Sequence, residues 1–164
     1  MLHFGRVLRL ALVGGAAMLW GAAALAQSIL EYHGSPARTG IYILPHLTYE
    51  RAKGLHLDPS FDGHIEGRVY AQPLFWHFPG STRKLLIVAT EENVVYALDA
   101  HDGKVAWQKS LGHPVTRAAL PCGNISTLGV TGTPVIDGID ETVYLDAMVD
   151  GEGEIGRASC RETV

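Results

Sequence analysis

The sequence predicts an all-β chain that holds about one complete four-stranded antiparallel unit and the start of a second. Three observations carry this reading. Strand-length runs follow one another from Leu85 to Leu111, tight-turn residues separate them, and a related pattern begins again roughly sixty residues further on.

Leu85 to Thr90 is a continuous apolar run, Val94 to Ala100 alternates faces, and Lys104 to Leu111 alternates around a single tryptophan, Trp107. Glu92-Asn93 and Asp102-Gly103 are the corners between them. Asp-Gly supports the positive φ of a hairpin corner, and Asn93 tolerates the left-handed region better than a branched residue would. Upstream, Val69 to Trp76 reads as the first strand, with Pro73 confining it to a bulge, an edge or a strand start. Gly80-Ser81-Thr82 forms the corner that follows.

The second copy superposes Thr133-Pro134-Val135-Ile136 on Gln72-Pro73-Leu74-Phe75 and Tyr144-Leu145-Asp146-Ala147 on Leu86-Ile87-Val88-Ala89. The surplus length falls in the link from Gly112 to Gly132. Long connections without their own secondary structure tend to carry function, so this link is the candidate functional loop, with Cys122, Asn124, Thr127 and Thr131 as its polar groups. Its glycines at 123, 129 and 132 let the backbone approach another surface. The competing reading is an ordered crossover with Cys122 as a staple.

The run VYALDAHDGKVAWQKSLG resembles the repeat of the pyrroloquinoline quinone (PQQ) type β-propellers, whose signature is Ala-x-Asp-x-x-Thr-Gly-x-x-x-Trp. Ala97, Asp99, Gly103 and Trp107 fall on it, and Asp102 stands where the family has threonine. The resemblance implies a β-propeller fragment: one four-stranded blade and the beginning of the next. It also implies structural roles for the four residues. Asp99 accepts backbone N–H groups across the corner, Gly103 takes a φ costly for other residues, and Trp107 offers a plate to the neighbouring sheet.

The two ends read differently. Residues 1–26 carry Arg6 and Arg9, an apolar run to Leu25 and the small-x-small site Ala24-Leu25-Ala26, the pattern of a cleaved export signal rather than a stable membrane anchor. The arginines are not adjacent, which points to export of an unfolded chain. Residues 27–68 form an irregular lead-in, with one or two helical turns expected near Tyr49 to Leu57, and residues 69–153 hold the blades. Residues 154–164, EIGRASCRETV, resemble a translated sequencing-library adapter and are expected to lie outside the fold.

The full chain carries a net charge of −4. Without the two ends it keeps nine basic and fifteen acidic residues, a charge of −6. That balance, with no Lys/Arg run, argues against nucleic acid and anionic membrane as partners. Cys122 is the one cysteine outside the suspected tail, so a partner further along the protein and a free thiol both remain open. The histidines are scattered, and no zinc, phosphate-loop or serine-elbow motif occurs. Asn124-Ile125-Ser126 fits the N-glycosylation triplet.

The expected function is an exported, periplasmic or secreted module that binds or scaffolds, with a protein or small-molecule ligand at the propeller face. The alternative is the N-terminal part of a PQQ-dependent alcohol or sugar dehydrogenase. Only that alternative implies PQQ and calcium as cofactors, and the adjacent cysteine pair of such enzymes is absent from the sequence.

Overall fold

Four strands pair in chain order into one antiparallel sheet: β1 (Leu74–His77), β2 (Lys84–Ala89), β3 (Val94–Asp99) and β4 (Val105–Ser110). This computed structural model describes residues 27–44 and 46–151 and the backbone of 154–163. The expected export signal, residues 1–26, lies outside the described residues. Among those described, no helix is long and apolar enough to cross a membrane.

The corners are built as their residues demand. Asn93 sits at φ 57° and Gly103 at φ 79°, the left-handed geometry for which asparagine and glycine are suited. At the β3–β4 corner the Asp99 carboxylate accepts the His101 N–H at 2.8 Å and the Asp99 carbonyl accepts the Gly103 N–H at 2.9 Å. A second demand also falls on Gly103, because a Cβ there would stand 2.6 Å from Gly63 N and 2.7 Å from Asp62 C. The lead-in crosses directly over this corner and is tied to it by the Asp62 N–H donating to the Asp102 carbonyl at 2.9 Å.

Asp102 accepts the Lys104 N–H at 3.0 Å and an ion pair from its ammonium at 2.7 Å. Those contacts hold the Asp102 carboxyl below its ordinary value and the Lys104 ammonium above its own. A depressed carboxylate contributes stability that is present above its unfolded pKa and lost as pH falls through its folded one. The pair sits at the surface, with Lys104 exposed and Asp102 half-buried, so the contribution is screened and small. Asp102→Asn is therefore expected to leave the urea midpoint at neutral pH unchanged within error, with any residual difference from the parent vanishing in acid.

The first strand is shorter than the sequence predicts. Val69 to Gln72 do not pair with β2; the Gln72 N–H donates to Thr133 Oγ1 at 3.0 Å instead, and Pro73, which has no N–H, marks the strand start. The lead-in is also less irregular than expected. Ile29 bridges Phe75 through bonds of 2.7 and 3.1 Å, and the Leu30 carbonyl accepts the Ile136 N–H at 2.8 Å, so this short stretch links the first strands of both sheets. The predicted helical turn is present as α1 (Tyr49–Ala52), capped by Thr48.

The second sheet consists of β7 (Val135–Asp137), β8 (Thr142–Gly151) and β9 (Glu154–Thr163), again antiparallel and in chain order. One expectation changes here. The superposition of Val135 on Leu74 places it on the wrong face, since Leu74 is fully buried while Val135 is 47% exposed and Ile136 is the inward residue. A one-residue offset in a strand exchanges its two faces, and the shared Thr/Gln-Pro start masked that offset. Residues 154–163, the segment that resembles a translated adapter, pair by their backbone along the edge of β8. A ladder needs only backbone N–H and C=O groups, so a segment without hydrophobic period can still complete it.

The two sheets face one another across a single apolar core. Leu74, Trp76, Leu85, Ile87 and Ala97 of the first sheet share it with Ile136, Val143, Leu145 and Ala147 of the second. The opposite face of the first sheet, Val88, Tyr96 and Leu98, is covered in part by Ile65 of the lead-in. Each large apolar side chain so buried contributes about 1.5–3 kcal/mol, which makes the shared core the main tie between the sheets.

Candidate functional site

The link from Gly112 to Gly132 carries a short hairpin of its own. β5 (Val115–Thr116) pairs with β6 (Thr127–Leu128), and Val115 and Val130 anchor its base with no exposed surface. Its tip is solvent-facing: Cys122, a free thiol, and Asn124 are exposed there, while Thr127 is half-buried within β6 and Thr131 is exposed past the base of the hairpin. The Arg117 N–H donates to the Ser126 carbonyl at 2.9 Å across the hairpin, and Arg68 donates to Ser126 Oγ at 2.8 Å, which ties the tip to the lead-in.

The approach expected of the loop glycines occurs at Gly129 and not at its neighbours. A Cβ on Gly129 would meet the Glu91 carbonyl oxygen at 2.3 Å and Asn93 Oδ1 at 2.6 Å, whereas Gly123 and Gly132 have nothing within 4 Å. The Gly129 N–H donates to Glu91 Oε2 at 2.7 Å, and the Val130 N–H donates to the Thr90 carbonyl at 3.2 Å. Asn93 Nδ2 reaches the second sheet and donates to the Met148 carbonyl at 2.7 Å. The β2–β3 corner, the loop and the second sheet thus meet at one polar node.

Thr90, Glu91 and Asn93 are buried there, at 0%, 1% and 0% exposure. This is the part sequence reasoning missed. Asn93 reads as a turn former and Glu91 only as a member of the same hairpin corner, and the unbroken apolar run leading into Thr90 is what signals that the corner lies indoors.

The repeat residues are placed for structure. Ala97 is fully buried opposite Trp107, Trp107 is half-buried against the shared core, and Asp99 and Gly103 close the β3–β4 corner. The register shifts between Ala97 and Leu98, a bulge that turns Trp107 inward from an otherwise exposed edge strand. Among the described residues, no group of three or more histidine, cysteine, aspartate or glutamate side chains is arranged to hold a metal. A scan against protein-family models and a search of curated proteins gave no match to the chain.

Proposed function

We propose that the chain is the N-terminal part of an exported β-propeller of PQQ-repeat type, which binds or scaffolds a protein or small-molecule ligand in the periplasm or outside the cell. The observation that carries the reading is the core shared by two consecutive antiparallel sheets, each a meander in chain order. Successive blades of a propeller bury their faces against one another in this way.

The repeat residues favour scaffold over catalyst. Asp99, Gly103 and Trp107 are spent on a corner and a core, and Cys122 stands alone on an exposed tip instead of in the adjacent pair of the quinone enzymes. The whole protein, incubated with PQQ and calcium and desalted, is expected to retain no quinone absorbance and to reduce no dye with alcohols or sugars. Retained quinone with turnover would replace this reading with the dehydrogenase alternative. Small-angle scattering of the same protein tests the architecture separately, with a compact disc expected and an elongated rod against it.

A further inference from the structure

Two oxygens of the polar node have no hydrogen-bond partner among the described residues: Glu91 Oε1 and Asn93 Oδ1. The remaining polar atoms of these side chains are committed, Glu91 Oε2 to the Gly129 N–H and Asn93 Nδ2 to the Met148 carbonyl. Turning the Asn93 amide over does not help, because Oδ1 would then oppose the Met148 carbonyl oxygen. With Glu91 as a carboxylate, both orphans are acceptors, so neither can satisfy the other. The described ion pairs, Lys53 with Glu50 and Lys104 with Asp102, lie elsewhere, and no described cation neutralises Glu91.

We propose that Glu91 Oε1 and Asn93 Oδ1 are ligands of a hard cation of the calcium type that clamps the β2–β3 corner to the Gly129 segment. Buried polar groups left without partners are costly, and a buried carboxylate left without a counter-charge more so. A water molecule could donate to an orphan oxygen but would bring no counter-charge to a Glu91 carboxylate. A cation answers both needs. The two donors are a carboxylate and an amide oxygen, with no sulfur or imidazole beside them, and that donor chemistry selects calcium-like ions over zinc or copper. Calcium also accepts irregular geometry and completes its shell with carbonyls and water, whereas magnesium demands a regular octahedron. Because Asn93 is at the same time bonded to Met148, the ion would fasten the first sheet to the second. The proposal does not depend on the propeller reading, and it concerns one corner and its loop, not a cofactor site assembled from several blades.

The test uses the complete chain, stripped with chelator and then titrated with calcium while its melting temperature is followed. Terbium luminescence with calcium competition gives the affinity. Calcium is expected to raise the melting temperature by several degrees, and Glu91→Gln to weaken binding at least tenfold. In chelator the same variant should melt no lower than the parent, since its amide can still accept from Gly129 and removes a buried carboxylate that has no counter-charge. A parent melting temperature indifferent to calcium overturns the proposal, as does a Glu91→Gln variant that keeps the parent's calcium response. Should that variant fail to fold, elemental analysis of the parent before chelation decides: about one bound calcium per chain supports the site, and none refutes it.

Discussion

Gly129→Ala destabilises the protein by about 3 kcal/mol or more, seen as a lower denaturant midpoint. The added Cβ meets the Glu91 carbonyl oxygen at 2.3 Å and carbon at 2.7 Å, and Asn93 Oδ1 at 2.6 Å. Two of these three atoms are backbone, and the corner that holds them is braced. Thr90 N donates to the Val94 carbonyl at 3.0 Å, Asn93 N to the Thr90 carbonyl at 3.1 Å, and Leu111 N to the Asn93 carbonyl at 2.8 Å. Yielding by an ångström breaks those bonds, so the loop must move instead. Overpacking alone costs about 1–3 kcal/mol. Pulling Gly129 away also strands Glu91 Oε2, and an unsatisfied buried polar atom adds about 1–3 kcal/mol, more when it is charged. Gly132→Ala is the control, because nothing lies within 4 Å of a Cβ there. Equal midpoints for the two variants would mean that the loop does not rest on the corner.

The node illustrates where the sequence stops being legible. The meander could be read because its information is local: each strand is a run of apolar or alternating residues, and each corner carries a residue suited to positive φ, Asn93 and Gly103. The second sheet was legible in kind but not in register, since the face of Val135 or Ile136 depends on where β7 meets β8 and not on any residue within β7. The candidate site was legible in one residue of its three. Gly129 belongs to a loop marked out by its length, yet its partners Glu91 and Asn93 stand 38 and 36 positions earlier, and their burial is decided by the loop folding back over them. Cys122, Asn124 and Thr131 drew attention by chemical type, but they lie at the exposed surface, away from that buried node.

The second large effect falls on a residue outside the repeat signature. Trp76→Ala is expected to cost about 3–5 kcal/mol, whereas Trp107→Phe, an apolar exchange of related shape, should cost less than about 1.5 kcal/mol. Trp76 is 1% exposed, pairs across the ladder with Leu85, and stacks on Phe78 with ring centres 4.0 Å apart and planes 22° apart. Removing it empties the core that both sheets share and uncovers one face of Phe78, whose ring also carries the Arg83 guanidinium at 4.7 Å. Trp107 is only half-buried on the edge strand, and its buried indole N–H has no hydrogen-bond partner among the described residues. Phenylalanine gives up some contact there but also removes that unsatisfied donor, so the two changes offset one another. The comparison, made by urea unfolding of both variants, asks which tryptophan ties the first sheet to the second. If Trp107→Phe proved the costlier, the signature residue would be the tie, and the shared core around Trp76 would be secondary.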